Sequence, residues 1–263
     1  MKTINTLFRR VGSAHRYPEN RPSTHWWATP TLLLLCSIFF ISFPPPPAVA
    51  QDTDLATSAA QSALQPLFTP PAPGTYTLPP IDTVGDHRLL DSAGEQTSLF
   101  SLTAGKVAVV SFMYTACADV GGCPLAAAVL QQVDRLLSER PAIAKRVTLL
   151  SVSFDPERDT PARLAEVREA LSPHTDWHFL TGATPADLQP VLADFHQPVA
   201  KLWQEDGNWS GLFRHVLKVY LLDADHHVRN IYSTGLFNAQ LVLNDIETVL
   251  LEIDKQAATS QQP

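Results

Sequence analysis

The chain has 263 residues, 45% of them hydrophobic, enough for one sizeable domain with appendages. Nineteen Lys and Arg stand against 26 Asp and Glu, and five of those basic residues but only one acid fall before residue 51, so the remainder carries a net charge of −11. An acidic remainder without a basic run is a poor binder of nucleic acid, and no nucleic-acid partner is expected.

Lys2, Arg9, Arg10, Arg16 and Arg21 precede an apolar run, Thr31 to Phe43, which is followed by "PPPPAVA" and then "QD". A basic flank, an apolar stretch and an A-x-A ending mark a secretory signal over residues 1–50, cleaved after Ala50. The competing reading is an uncleaved anchor. The run alone spans about 20 Å as helix, too short for a bilayer, whereas residues 26–43 reach about 27 Å, with Trp26 and Trp27 at the interface and Pro30 as an interruption. On either reading the residues after 50 are exported, to the periplasm or cell envelope. Arg9 and Arg10 lie too far from the run for a twin-arginine signal, and Cys36 lacks the small residue that precedes a lipidated cysteine.

Residues 51–85 continue a Pro-rich tether: Pro44 to Pro80 holds ten of the 22 prolines. The folded domain is expected over residues 86–256, with a disordered tail at 257–263. "HRLLDSAGEQTSLF" reads as a hairpin turning at Ser92-Ala93-Gly94. "VAVVSFM" (107–113) and "VTLLSVSF" (147–154) read as strands buried on both faces. Between them Leu125, Val129, Val133, Leu136 and Leu137 recur at helical spacing after Pro124. "DTPARLAEVREAL" is a helix capped by Thr160. "WHFL" (177–180) is a short strand and 184–195 a short helix bent by Pro190. "VLKVYLLD" and "VRNIYS" form a hairpin around residues 224–227, and 238–253 is the closing helix. This order is that of an α/β, thioredoxin-like three-layer sandwich with a central mixed sheet.

Such a domain keeps its reactive groups in the loop after its first central strand, here "YTACADVGGCP". Cys117 and Cys123 are the chain's last two cysteines, with five residues between them. Cys123 is expected at the start of a helix, where free N–H groups favour a thiolate. Residues six apart do not share a helix face, so the loop must fold back, and Gly121 and Gly122 can take positive φ to let it. A looped disulfide and a looped two-thiolate metal site both remain open.

"SFMYTACADVGGCPLA", "SVSFDPERDTPARL", "WHFLTG" and "FRHVLKVYLLDADHHVRNIYSTG" together resemble the Sco/SenC family over residues 86 to 255. That family comprises membrane-tethered, thioredoxin-like copper proteins that assist assembly of cytochrome c oxidase. The resemblance implies copper, as Cu(I) or Cu(II), held by Cys117, Cys123 and His215, and a cuproprotein client such as an oxidase subunit. It departs at Gly121-Gly122, an insertion where the family's loop would read like "CADVCP". Two thiolates and an imidazole suit soft Cu(I) and can hold Cu(II). With no methionine after Met113, a thioether relay is excluded.

The other candidates read as structural. His226 and His227 read as a solvated turn, and His174, His178 and His196 show no ligand spacing to one another. Asp155 and Asp159 are candidates either for supporting the site or for loop hydrogen bonds. Trp177 reads as core. A metallochaperone is the leading expectation. The alternative is a thiol–disulfide oxidoreductase with Cys117 and Cys123 as its redox pair, and a third reading keeps only a structural disulfide.

Overall fold

A computed structural model of the chain describes residues 68–260. The expected signal or anchor, the expected cleavage after Ala50 and residues 261–263 lie outside the described residues. Among the described residues no helix is long and apolar enough to cross a membrane.

Three short strands, β1 (Asp82–Thr83), β2 (Arg88–Leu90) and β3 (Gln96–Ser98), lead into a turn of helix, α1 (Leu99–Thr103). Then come β4 (Val107–Met113), α2 (Cys123–Ser138), α3 (Pro141–Ala144) and β5 (Val147–Ser153). After these follow α4 (Pro161–Leu171), β6 (Trp177–Leu180) and α5 (Pro185–Asp194). The last elements are β7 (Val199–Trp203), β8 (Trp209–His215), β9 (Val219–Leu222), β10 (His227–Tyr232) and α6 (Ala239–Ser260).

The six-stranded sheet runs β1-β10-β9-β4-β5-β6. β4 and β5 are buried at every position, as their unbroken β-branched and apolar runs predict. They pair in parallel from Val107↔Val147 to Met113↔Ser153, and β6 extends the parallel half. β9, β10 and β1 form the antiparallel half, so the sheet is mixed as expected. Alternation along β4 separates its two faces. Phe112 meets Phe195 and Tyr220 edge-on, while Ser111 and Met113 face Ala126 and Leu130 of α2 and Val167 of α4. Each fully buried leucine or valine contributes about 1.5–3 kcal/mol, so this double-sided core is what holds the sheet rigid beneath its loops.

Local chemistry sets the ends. Thr160 caps α4 by accepting from Arg163 N, and Thr184 with Asp187 makes a capping box on α5, through which Pro190 passes without ending the helix. The turn between β2 and β3 closes on the Asp91 carboxylate, with Gly94 at φ +84°.

Three findings differ from expectation. The segment from Pro71 to Val84, read as tether, is fastened to the domain. Asn244 donates to the Pro71 carbonyl, Gly74 N donates to Thr248, and Tyr76 donates to Asp245. The closing helix continues to Ser260, into the stretch read as a disordered tail. The strand expected from Val216 starts only at Val219, because the residues up to His215 belong to a separate hairpin, β7–β8. That hairpin has an overlooked signal: the pair Asp206-Gly207, with Gly207 at φ +81°, sits between two strand-forming runs.

Candidate metal centre

The loop between β4 and α2 opens at the C-terminal end of the parallel strands. Gly122 is the N-cap of α2, Cys123 its first residue, and Pro124 follows where a missing N–H costs nothing. Neither Gly121 nor Gly122 takes a positive φ, contrary to expectation. Asp119 turns the loop instead: its carbonyl accepts from Gly122 N at 3.0 Å and its Oδ1 accepts from Gly121 N at 3.0 Å. Gly122 packs closely on Asp119: a Cβ there would stand 3.3 Å from its Oδ2 and 3.4 Å from its carbonyl. Upstream, Cys117 N donates to the Tyr114 carbonyl.

This fold-back brings Cys117 and Cys123, both buried, beside each other as free thiols. His215 arrives from the end of β8 with Nε2 3.7 Å from Cys123 Sγ. The two sulfurs and an imidazole nitrogen all lie within 4.8 Å of one another. Ligands about 2.0–2.3 Å from a common metal stand about 3.5–4 Å apart, so three soft donors gathered this closely suit a small soft ion.

The thiols are unequal. A hydrogen bond from Cys123 pulls the Cys117 thiol down to about 4, against its burial and with help from His215. The same bond, with burial, pushes Cys123 well above the ordinary thiol range. The two sulfurs therefore titrate as a coupled pair through one shared proton. Their mutual hydrogen bond favours the thiolate on Cys117, whereas the helix start favours it on Cys123.

Tyr114 and Phe154 pack their rings on His215, at 5.7 and 5.1 Å between centroids. His215 Nδ1 is buried with no hydrogen-bond partner among the described residues. Both expected aspartates have defined work. Asp159, fully buried, accepts from Thr115 N at 2.9 Å, from Ser153 Oγ at 2.5 Å and from the Thr115 hydroxyl. It ties the start of the cysteine loop to the end of β5. Asp155 pairs with Arg158, which reaches across to the β7–β8 hairpin. Burial pushes the Asp155 carboxyl up, opposed by Arg158.

Other described histidines stand outside the sulfur cluster, beside carboxylates: His87 with Asp194, His174 with Asp134, His178 with Asp176, and His196 with Asp82. His226 and His227 are half-buried rather than solvated. His226 stacks on Phe100 and bonds Thr103, and His227 bonds Asp223. Asp223, Asp225 and His227 also cluster, but Arg229 already neutralises Asp223. Trp177 is core, donating Nε1 to Ser151.

The SCO1/SenC family model matches residues 76–251, and the chain belongs to that family. Among solved structures, apo Sco1 from Thermus thermophilus is 25% identical, with TM-score 0.55, covering 67% of this chain and 95% of that one. Arabidopsis thaliana ScoI, solved with copper bound, is 21% identical, with TM-score 0.54, covering 65% and 99%. BsSco is 24% identical, with TM-score 0.51, covering 66% and 98%. It is described as having a disulfide switch and as a member of the Sco family of cytochrome c oxidase assembly proteins. No curated protein sequence matches the chain.

Proposed function

We propose that this SCO1/SenC-family chain is an exported copper-binding metallochaperone whose ligands are Cys117, Cys123 and His215. Its client is a cuproprotein such as a cytochrome c oxidase subunit, and its place is the periplasm or cell envelope, with residues 26–43 as its anchor where they are not cleaved. The observation that carries the reading is the convergence of two sulfurs and one imidazole nitrogen within 4.8 Å. Copper is the cargo: soft thiolates favour Cu(I), and the imidazole also accommodates Cu(II). Gly121-Gly122 lengthens the loop without separating its sulfurs, because Asp119 closes the extra turn on itself. The test is a copper titration of the reduced chain with spectra of the Cu(II) form. One copper per chain and thiolate charge-transfer bands are expected, lost in Cys117→Ser and Cys123→Ser and weakened in His215→Ala. Unchanged affinity in His215→Ala would sink the three-ligand assignment.

A thiol–disulfide oxidoreductase is the second reading, favoured by the unequal thiols: a thiolate beside a thiol is the arrangement that exchanges with a partner's disulfide. It needs only the cysteines, and it is dropped if the pair cannot be reduced under periplasm-like conditions.

A further inference from the structure

His215 ends β8, and among the described residues β8 pairs with β7 alone, in a two-stranded sheet outside the six-stranded ladder that carries the cysteine loop. Main-sheet register therefore does not set the distance from imidazole to sulfur. A metal-binding imidazole is ordinarily oriented by a bond to its second nitrogen. Here Nδ1 of His215 has none among the described residues, so the ring is placed by the hairpin backbone and by its packing on Tyr114 and Phe154 rather than by a hydrogen bond.

The hairpin packs Phe213 on Tyr114 and Phe154 and pairs Lys201 with Glu157, and near its turn it is gripped by an arginine. Arg158 Nη1 donates to the Gly211 carbonyl at 2.7 Å, and its guanidinium carbon lies 4.6 Å from the centre of the Trp209 ring. Gly211 holds φ +80° on β8, the strand that ends in His215, and the hairpin register shifts between Lys201 and Trp203. Arg158 is itself anchored through Nε on the buried Asp155 carboxylate. At the end of the same short turn, Asp159 holds Thr115 of the cysteine loop. Residues 155 to 159 thus grip both halves of the site, the thiol half through Asp159 and the imidazole half through Arg158.

We propose that Arg158 is a positioning residue for the metal centre: by holding the Gly211 carbonyl and the Trp209 ring, it sets where the His215 imidazole stands relative to the Cys117–Cys123 pair. This rests on the three-ligand reading above. The guanidinium can serve a carboxylate, a carbonyl and a flat ring at once, which a lysine ammonium cannot.

The test loads copper onto the reduced full chain, in detergent and without oxygen. It compares wild type, Arg158→Gln, Arg158→Lys, His215→Ala and the Arg158→Gln/His215→Ala double variant by competition titration and by electron paramagnetic resonance of the Cu(II) form. Both Arg158 variants are expected to bind copper about 10–100-fold more weakly and to lose nitrogen coupling, with the sulfur charge-transfer bands retained. In the His215→Ala background, Arg158→Gln should cost less than about twofold, because the ligand it positions is already gone. Asp134→Ala, which loosens the fold from the far end of α2, should leave the nitrogen coupling intact. Wild-type coupling in both Arg158 variants, an undiminished loss in the His215→Ala background, or the same loss in Asp134→Ala would each overturn the proposal. If Arg158→Gln does not fold, Arg158→Lys carries the comparison, since it keeps a cation beside Asp155. A His215→Ala variant that binds as tightly as wild type would instead remove the three-ligand reading itself.

Discussion

His215 Nε2 lies 3.7 Å from Cys123 Sγ although the two residues are 92 apart in the chain. One stands on the first residue of α2 and the other at the end of a hairpin outside the main sheet, so their meeting depends on how two loops are held.

The thiol pair should titrate as a unit. In wild type, one thiolate absorbance should persist down to acidic pH, near 4, with the second appearing only above the ordinary thiol range. Cys123→Ala removes the donor that most lowers Cys117, so the surviving thiol should move up toward about 8.5. Ultraviolet absorbance across the pH range checks this. A single wild-type step involving both thiols near 8.5 would be incompatible with the shared proton.

Asp159→Ala leaves Thr115 N–H and the Thr115 and Ser153 hydroxyls buried without their acceptor. The expected cost is roughly 2–4 kcal/mol of stability, together with weaker copper binding because the cysteine loop is no longer tied to β5. Urea unfolding and copper competition measure the two effects. Asp159→Asn, which keeps one acceptor oxygen, should lose less of each.

Asp134 supplies an acid limb to stability. Its burial on α2 opposes ionisation, but Thr175 Oγ1 and the other donors of His174 and Thr175 outweigh it and hold the carboxyl below its ordinary value. A depressed folded pKa stabilises fully above the unfolded value, about 3.9, and that contribution is lost as pH falls through the folded one. Unfolding free energy should therefore fall more steeply as pH drops below about 4 in wild type than in Asp134→Asn. Parallel curves for the two proteins would count against it.

Gly122→Val would drive a branched side chain against Asp119, whose Oδ2 and carbonyl stand 3.3 and 3.4 Å from the position of a Cβ. Opening that turn should cost about 1–3 kcal/mol and separate the sulfurs. Gly121→Ala, with its nearest contact at 3.6 Å, should fold and bind copper normally. Thermal melts and copper titration of the two variants give the comparison.

Much of the fold was readable from local pattern. The β4 and β5 runs are continuous, apolar and β-branched, and such runs are strands buried on both faces whatever surrounds them. Thr160-Pro161 and Thr184-Pro185 announce helix starts because an N-cap hydroxyl and a proline in the first turn act within one turn of chain. The cysteine spacing by itself established that the loop must fold back, and the four quoted segments carried the family resemblance that placed His215 beside those cysteines.

What only the tertiary structure decided is how the parts are held. The loop turns on Asp119 rather than on positive-φ glycines, because a carboxylate and a carbonyl there capture two N–H groups. The hydrogen bond between the thiols and the burial of Cys123 draw charge toward Cys117, against the pull of the helix start on Cys123. His215 belongs to a separate hairpin, and Arg158 and Asp159 reach it and the cysteine loop across gaps in sequence that no local pattern reports. Helical and strand periodicity acts over a few residues, so it shows in the sequence; buried hydrogen bonds between loops depend on the completed core that brings them together.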